Sequence, residues 1–525
     1  MLLLTFVLIF IFGALIRVIS IEKRIYWADE VYTALWISGH TEQEIIDTFY
    51  HGGVTERKSI LNFQKPDPDK TIFDTVSVLS HYDPQHPPAY YVLAHMLADT
   101  LGDAKMATRL ISAVFGSLCV GLMYLVGREI FKSAESGVLA ALLFAISPFH
   151  ILYAQEARPY ALWTFCVLLS SYALLRVLRR PTRGRWLVYA LSMIFSLYTF
   201  LLSALVWFGH ALFVILSARN RTPRRIKEYV VTSLAVLIAF MPWIMVVMTA
   251  RLEGKINRLE WVERQAPWPL LLSKWLLNLD RLFFDWIEVR EDSRLQDLVA
   301  LIPVTAFVTG LVIYAIYYCA KNCSRPARIF LGTMTLTLAA ALIVPDLLWG
   351  GRRSGIARYM IPTLLGLQLV VAHLLARQTT TGSAAKRLLW GGVVGLVVVG
   401  SIASNFAMLK AESWWWTKGS KDAARLPLSA HLIDSHERPL VISDADFTQV
   451  FSLVHRLKRN ADFQLVHGPQ LFVDLARRPA MFLYKPSDAL INGFSRDYEL
   501  ENLVQEETSP RYALYRLRPR QRSTD

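Results

Sequence analysis

Cysteine is scarce in this chain, with four cysteines among 525 residues. Cys119 and Cys166 fall inside apolar runs, while Cys319 and Cys323 flank the end of another. Because the cysteines are neither paired nor clustered, the sequence predicts no disulfide framework and no zinc site. It also lacks the Walker A and H-E-x-x-H patterns, which argues against a P-loop nucleotide site and against a metalloprotease of that type.

Long polar stretches are few as well. Hydrophobic residues make up 54% of the chain, and the mean hydropathy is +0.34. Apolar runs of this length predict a polytopic membrane protein rather than a soluble enzyme. The net charge of +14 does not indicate nucleic-acid binding, because the basic residues stand in short clusters between the apolar runs, as the positive-inside rule expects.

The first apolar run, residues 2–20, has no basic segment before it and no small-residue cleavage site after it. We interpret it as a retained membrane anchor rather than a signal peptide. With the later runs it predicts about 11 transmembrane helices of roughly 20 residues each. The later predicted spans are 106–127, 134–151, 158–178, 186–199, 200–217, 228–249, 298–319, 327–346, 358–376 and 387–409.

The basic clusters predict which side each connection faces. They occur at 128–132, 176–185, 218–227, 321–328 and 377–387, and these connections should be cytoplasmic. The connections 21–105 and 250–297 are acidic or balanced in charge and should be outer loops. The apolar segment 86–102 is short for a crossing, so we interpret it as a re-entrant or interfacial helix. The N-terminus is then inside and the C-terminus outside.

The tail differs in composition from the rest of the chain. Residues 438–457 have the pattern of a short apolar strand followed by an amphipathic helix, and further strand patterns occur at "FQLV", "AMFLY" and "YALYRLRP". These patterns predict a small α/β domain outside the membrane. We therefore divide the chain into a transmembrane domain, 1–409, and an extracytoplasmic α/β domain, 410–525.

Two adjacent carboxylates, Asp29 and Glu30, follow the first span in the stretch "YWADEVYTALW". One interpretation is purely structural, with Asp29 as a helix N-cap and Glu30 as a first-turn acid favoured by the helix dipole. The other is catalytic, because the predicted topology places both carboxylates at the outer membrane surface. Thr41 and Glu44 have the spacing of a capping box for a second short helix.

Three further clusters fall on the predicted outer face. "SHYDPQHPPAYY" contains His86 before a rigid Pro-Pro step, "YAQEARPYAL" contains Glu156, Arg158 and Tyr160, and "WGGRRSGIARYMIP" contains Arg353, Arg358 and Tyr359. Arginines on the predicted outer face depart from the positive-inside rule. They would either anchor to lipid phosphates at the surface or bind the phosphate of a ligand through bidentate contacts. Carboxylates and arginines together suit a base that deprotonates a hydroxyl while cations hold a departing phosphate.

The order of these motifs resembles membrane glycosyltransferases of the GT-C fold. The matching elements are D-E after the first span, H-P-P-x-Y-Y before the second, Q-E-A-R-P-Y after the third, and R-Y at the start of a late span. The nearest branch comprises relatives of the protein O-mannosyltransferases and the lipid A aminoarabinose transferases. The resemblance covers roughly residues 1–410, so the expected fold is a helical GT-C membrane domain with a small α/β domain.

The resemblance implies a function and assigns roles by position. The family moves a sugar from a polyprenyl-phosphate carrier to an acceptor hydroxyl, usually with inversion. Asp29 would be the general base or the carboxylate that orients the acceptor, with Glu30 in support, and Arg158, Arg353 and Arg358 would bind the donor phosphate. The predicted site-lining residues are His86, Glu156, Tyr160 and Tyr359. The expected location is a prokaryotic plasma membrane, with a glycan, lipid or protein as acceptor, membrane lipids as partners and no nucleic acid.

No cofactor is expected. Asp29 and Glu156 would be compatible with a divalent cation, as in some GT-C enzymes, but the sequence offers no full ligand set. One alternative function is a transporter or flippase of lipid-linked saccharides, which should show ionisable residues in mid-span or broken helices in repeated halves. Another is a catalytically inactive interaction protein of the same fold. The clustering of the distinctive charges at one face favours the enzyme.

Overall fold

The structure is a computed structural model, and it describes residues 2–217, 222–255, 260–285, 295–412, 414, 420–467, 480–504 and 513–520. The chain forms two compact units. The first, here called the helical unit, comprises Met1–Ile21, Leu79–Tyr90 and Arg109–Lys410. The second, here called the sheet unit, comprises Glu22–Val78, Tyr91–Thr108 and Ala411–Asp525. The predicted division at residues 409 and 410 stays a prediction.

Helices dominate the described residues. In chain order, α1 to α22 are Leu2–Val18, Ala28–Ile37, Glu42–Phe49, Arg57–Phe63, Ile72–Tyr82, Ala89–Leu101, Ala104–Phe131, Ala134–Ile146, Pro148–Ala154, Tyr160–Arg179, Arg183–Thr199, Ser203–Leu216, Pro223–Leu252, Glu260–Glu263, Trp268–Asp280, Leu295–Asn322, Arg325–Leu348, Ile361–Thr380, Ala384–Lys410, Ser420–Asp434, Phe447–Arg456 and Asp488–Phe494. The strands β1 to β6 are Val54–Glu56, Leu440–Ser443, Asp462–Leu465, Met481–Tyr484, Tyr498–Asn502 and Leu514–Pro519.

The predicted fold class is confirmed, since every predicted span contains a helix. Among the described residues, seven helices are long and apolar enough to cross a membrane, or up to eight if the bent pair α8 and α9 counts as one span. Helices α1 and α12 are apolar but shorter. The continuous apolar stretch 186–217 divides where α11 ends at Thr199 and α12 begins at Ser203. The described helix in segment 86–102, Ala89–Leu101, is not among the candidate spans.

The helical unit is held together by helix packing around α18. This helix packs against α8, α16, α17 and α19, and it is buried along nearly its whole length. Leu364, Leu365 and Leu369 each have an exposed fraction of 4% or less. In a membrane such packing rests on close van der Waals contact and polar side chains between helices, because lipid tails are as apolar as leucine.

The sheet unit contains a six-stranded mixed sheet in the order β1-β3-β2-β4-β6-β5. The three central strands β3, β2 and β4 run parallel, whereas β1, β5 and β6 pair antiparallel with their neighbours. The core of the sheet includes Leu440, Ile442 and Leu483, which are all fully buried. The small α/β fold predicted for the tail is confirmed. Its edge strand β1, however, comes from residues 54–56 of the first predicted outer loop.

Candidate active site

The acidic pair lies in the first turn of α2, in the sheet unit. The helix begins at Ala28, and Trp27 occupies the N-cap position without a side-chain cap. Asp29 is therefore not the N-cap, and both carboxylates stand where the partial positive charge of the helix N-terminus favours them. The Glu30 side chain is buried, with 1% of the residue exposed, whereas Asp29 is partly exposed. The more accessible carboxylate is thus Asp29.

Neighbouring side chains in the sheet unit fix the position of α2. The Gln64 amide donates to the carbonyl oxygen of Val31 at 3.2 Å, and its oxygen lies 2.7 Å from Nε2 of His455. The ring of His455 in turn lies 4.3 Å from that of Tyr26. The predicted capping box of α3 is confirmed, since Thr41 and Glu44 cap each other's backbone N–H groups. Of these contacts, the hydrogen bond from Gln64 to Val31 is made to the helix that carries Asp29 and Glu30.

In the helical unit, a sharp bend leads into the predicted Glu156–Tyr160 cluster. Helices α8 and α9 meet at an angle of 60° at Ser147 and Pro148. Proline has no N–H and disfavours a helical conformation at the residue before it, and Ser147 here has an extended backbone that ends α8. The carbonyls at the end of α8 instead accept side-chain donors, namely Gln368 at Leu143 (3.1 Å), Arg17 at Phe144 (3.0 Å) and Ala145 (3.1 Å), and Asn405 at Ile146 (2.7 Å).

Two guanidinium groups lie close to one aromatic ring beyond this bend. The guanidinium carbon of Arg158 lies 6.0 Å from the ring centroid of Tyr160, and that of Arg358 lies 5.4 Å from the same centroid. Both arginines are buried, with exposed fractions of 4% and 8%. Arg358 also lies 5.7 Å from the ring of Tyr359. Cations within about 6 Å of an aromatic face are attracted by its negative potential.

Further aromatic rings line the same part of the helical unit. The ring of Tyr160 lies 5.5 Å from that of Tyr153 and 5.8 Å from that of Phe200. Phe200 in turn lies 6.2 Å from the ring of Tyr359. The helical unit therefore brings Arg158, Arg358, Tyr160 and Tyr359 together, although their motifs are about 200 residues apart in the sequence. Neither Tyr153 nor Phe200 is among the predicted site residues, because an aromatic residue in an apolar run carries no signal of its own.

Charged groups of both signs accompany this cluster. Glu156 is buried, with 2% exposed, and it lies within electrostatic range of Tyr153 together with Arg358 and Arg281. Burial lowers the pKa of Arg281, while the nearby carboxylate of Asp285 opposes that shift. Arg281 is a third cation that the sequence reasoning missed. Its stretch balances acids and bases, so no feature of the sequence distinguishes it from its neighbours.

His86 contacts Arg158 directly. Its Nε2 atom lies 2.8 Å from Nη2 of Arg158, and its Nδ1 atom lies 2.9 Å from Oδ2 of Asp83. The latter contact is close, although the N–H bond does not point straight at the oxygen. The predicted site-lining residues His86, Glu156, Tyr160 and Tyr359 thus all fall in the part of the helical unit that holds Arg158 and Arg358. Asp83 is a further residue that the sequence reasoning did not select.

Arg353 has a different environment from the other two predicted arginines. Its Nη1 lies 3.3 Å from Oδ1 of the buried Asp346, and its Nη2 lies 3.5 Å from Oε1 of Glu263. Asp346 also accepts hydrogen bonds from the backbone N–H and the hydroxyl of Ser354, both at 2.7 Å. These contacts tie Arg353 into the turn after α17. Its role in binding phosphate stays a prediction.

Among the described residues, no group of three or more histidine, cysteine, aspartate or glutamate side chains is placed to hold a metal ion. The predicted carboxylates Asp29 and Glu156 belong to the sheet unit and the helical unit respectively. Asp29 and Glu30 stay predicted catalytic residues.

Residues 85–246 match the family model described as dolichyl-phosphate-mannose-protein mannosyltransferase. The match confirms the predicted resemblance and indicates a glycosyltransferase of a membrane. It includes His86, Glu156, Arg158 and Tyr160, whereas Asp29, Glu30, Arg353 and Arg358 lie outside the matched residues.

Solved structures with a similar course of the chain include two proteins of low sequence identity to this one. ArnT from Cupriavidus metallidurans bound to undecaprenyl phosphate is 14% identical with a TM-score of 0.47, and the match covers 83% of this chain and 88% of that one. The archaeal oligosaccharyltransferase AglB from Archaeoglobus fulgidus, in complex with an inhibitory peptide and a dolichol-phosphate, is 14% identical with a TM-score of 0.46. That match covers 86% of this chain and 64% of the other. No curated protein sequence shows a significant match.

Proposed function

We propose that this protein is an inverting glycosyltransferase that moves a sugar from a polyprenyl-phosphate carrier to an acceptor hydroxyl at the outer face of a prokaryotic plasma membrane. The observation that carries the proposal is the placement of Arg158 and Arg358, two buried guanidiniums that lie 6.0 Å and 5.4 Å from the ring centroid of Tyr160. Arg158 and Tyr160 also lie within the segment that matches the mannosyltransferase family.

Burial distinguishes these arginines from lipid anchors. An arginine that anchors to lipid headgroups extends its guanidinium to the membrane surface and keeps it hydrated. Arg158 and Arg358 are instead more than nine-tenths buried, among aromatic rings. A buried charge is expensive unless it is compensated, and the acidic groups near this cluster include Glu156. An enclosed phosphate that binds both guanidiniums is the ligand that best suits such a site.

The proposed reaction is a single displacement. A carboxylate oxygen of Asp29 accepts the proton of the acceptor hydroxyl, whose oxygen forms a bond to the anomeric carbon of the sugar. The bond from that carbon to the phosphate oxygen breaks, and the electron pair stays on the phosphate. Cations that are already positioned stabilise the charge that develops on the leaving phosphate, so little covalent help is needed. The products are a glycosylated acceptor and the polyprenyl monophosphate.

The remaining predicted residues have supporting roles in this proposal. Glu30 supports Asp29, and the site is lined by Glu156, His86 and Tyr359. Arg353 is the weakest of the proposed phosphate ligands, since Asp346 and Glu263 already engage its guanidinium. The active site is proposed to be extracytoplasmic, as is the C-terminal α/β domain, and acceptor recognition is proposed for the outer loops and the tail.

The test compares strains that lack the protein with strains that carry the wild type, Asp29→Asn or Asp69→Asn. Asp69 is an exposed aspartate of the same unit and serves as the matched control. Mass spectrometry of envelope glycans, lipids and proteins should show one product that loses one sugar mass in the deletion strain. The wild type and Asp69→Asn should restore it, and Asp29→Asn should not.

The other outcomes are equally informative. If Asp29→Asn is inserted at normal levels and restores the product, Asp29 has no part in the mechanism. If no glycan, lipid or protein changes in the deletion strain, the transferase proposal fails. A deletion strain that accumulates the lipid-linked sugar on the cytoplasmic side would instead indicate a transporter.

A further inference from the structure

A tight turn places an aspartate beside His86 in the helical unit. The backbone N–H of His86 donates to the carbonyl oxygen of Asp83 at 3.0 Å, which closes a four-residue turn with Pro84 at its second position. Aspartate in the first position and proline in the second are both typical of such turns. The indole N–H of Trp243 donates to the carbonyl oxygen of Pro84 at 3.1 Å and anchors the turn to α13.

The contact with Arg158 determines where the proton of His86 lies. A guanidinium group has only donors, so Nε2 of His86 at 2.8 Å from Nη2 must be the acceptor. The imidazole at this geometry is therefore neutral and carries its proton on Nδ1, the nitrogen 2.9 Å from Oδ2 of Asp83. Asp83 has an exposed fraction of 3%, so water does not weaken its influence on the ring. Asp83, His86 and Arg158 therefore lie in series, with a hydrogen bond from Arg158 to Nε2 of His86 and a close contact between the Asp83 carboxylate and Nδ1.

We infer that Asp83 and His86 are positioning residues for Arg158, which hold its guanidinium in the orientation that receives the phosphate of the lipid carrier. This inference rests on the proposed function. An arginine side chain loses considerable rotamer freedom when it is fixed, and a fixed partner lets the ligand bind a guanidinium that is already oriented. His86 occupies one of the five N–H donors of Arg158. Asp83 acts only through the ring, because it sets which nitrogen carries the proton.

The experiment measures the affinity of the purified full-length protein for undecaprenyl phosphate and for the uncharged alcohol undecaprenol. The ratio of the two dissociation constants isolates the contribution of the phosphate. Three variants are compared with the wild type. His86→Leu cannot accept a hydrogen bond from Arg158, whereas the side-chain amide of His86→Gln offers an oxygen that accepts and N–H groups that donate. Asp83→Asn removes the negative charge beside the ring. His373→Leu is the matched control, because His373 is a buried histidine of the same unit that hydrogen-bonds the hydroxyl of Ser136 at 2.9 Å.

In His86→Leu the binding of the phosphate lipid should weaken about 10-fold or more, as expected for a hydrogen bond to a charged group, while binding of the alcohol should not change. His86→Gln should recover most of that loss. Asp83→Asn should give an intermediate loss, because a neutral amide no longer favours the required proton position. His373→Leu should keep the wild-type ratio even if its melting temperature falls.

Two results would overturn the inference, and they can be told apart. If the wild type prefers undecaprenyl phosphate to undecaprenol and His86→Leu keeps the same preference, Arg158 needs no positioning and only this inference fails. If the wild type binds the two lipids equally, the phosphate site itself is wrong, and the proposed function fails together with the inference. A His86→Gln variant no better than His86→Leu would also contradict the hydrogen-bond role.

Discussion

The two halves of the segment 349–360 use arginine in different ways. In the first half, Arg353 pairs with Asp346 and Glu263, and the preceding Gly350 and Gly351 have positive φ angles of 82° and 132°. In the second half, Arg358 lies against the rings of Tyr160 and Tyr359. The same side chain, five residues apart, is therefore part of a turn in one case and of a buried cationic cluster in the other.

The groups around Arg353 and Arg358 differ in how well they suit the binding of an anion. Carboxylates neutralise Arg353, so an incoming phosphate would have to displace or face them. The guanidinium of Arg358 lies against the rings of Tyr160 and Tyr359, whose faces attract a cation but carry no net charge. Neither a count of arginines nor their order in the sequence makes this distinction. The groups packed against each guanidinium do.

The largest effect is expected when the charge of Arg158 or of Arg358 is removed. We expect Arg158→Gln and Arg358→Gln each to lower kcat/KM for the lipid-linked donor about 100-fold, as for loss of one preorganised donor to a developing negative charge. Each lysine variant should recover part of the loss, since it restores charge without the planar fork. The measurement is steady-state transfer by purified protein. A loss below threefold in both glutamine variants would contradict the assigned site.

A smaller effect is expected for Arg353→Gln. The donor kcat/KM should fall less than about 10-fold, whereas the melting temperature should fall by several degrees, because the buried carboxylate of Asp346 loses an ionic partner. Thermal unfolding in detergent and donor kinetics on the same preparation test both parts. A loss of activity as large as that of Arg358→Gln, with unchanged stability, would place Arg353 among the phosphate ligands.

The smallest effect concerns Asp280, a buried carboxylate of the same unit that accepts a hydrogen bond from Thr305 at 2.5 Å. Burial raises the pKa of Asp280 from 3.8 to about 6. The folded protein then binds this proton more tightly than the unfolded chain does. Its contribution to stability is present below pH 3.8, is lost as the pH rises to about 6, and is constant above that pH.

Asp280→Asn should remove this dependence. Relative to the wild type, the melting temperature of the variant should rise between pH 4 and pH 6 by a few degrees and then stay level. Thermal unfolding in detergent at several pH values provides the measurement, with Asp69→Asn as the exposed control. Parallel curves for the wild type and Asp280→Asn would show that Asp280 does not titrate in this range.

Periodicity and local chemistry predicted much of this fold. The apolar runs predicted the helices because a membrane span requires about 20 apolar residues whatever its neighbours are. Thr41 and Glu44 revealed a capping box because that interaction is local. Strand β1 was not predicted, because three residues are too few to show the alternation of apolar and polar side chains. The strand that pairs with it, β3, follows some 400 positions later. Pairing between strands so far apart in the sequence cannot be predicted from the pattern of neighbouring residues.

The candidate site divides in the same way. The motifs around His86, Arg158 and Arg358 were visible as unusual polar groups beside apolar runs. The sequence did not show that Arg353 faces carboxylates, that Asp83 stands behind His86, or that Arg281 lies near Tyr153. Each of these depends on which side chains converge from separate elements. Polar residues such as Asp83 are also too common in turns to stand out.

The bend between α8 and α9 has a consequence for how the protein assembles. The carbonyls at the end of α8 depend on Arg17 from the first helix, and on Gln368 and Asn405 from helices made more than 200 residues later. Within a bilayer an unsatisfied carbonyl costs several kcal/mol. During synthesis, the bend that leads to Arg158 therefore cannot reach its final form until the last spans have entered the membrane. A chain truncated before these helices would lack the side-chain donors that complete the bend.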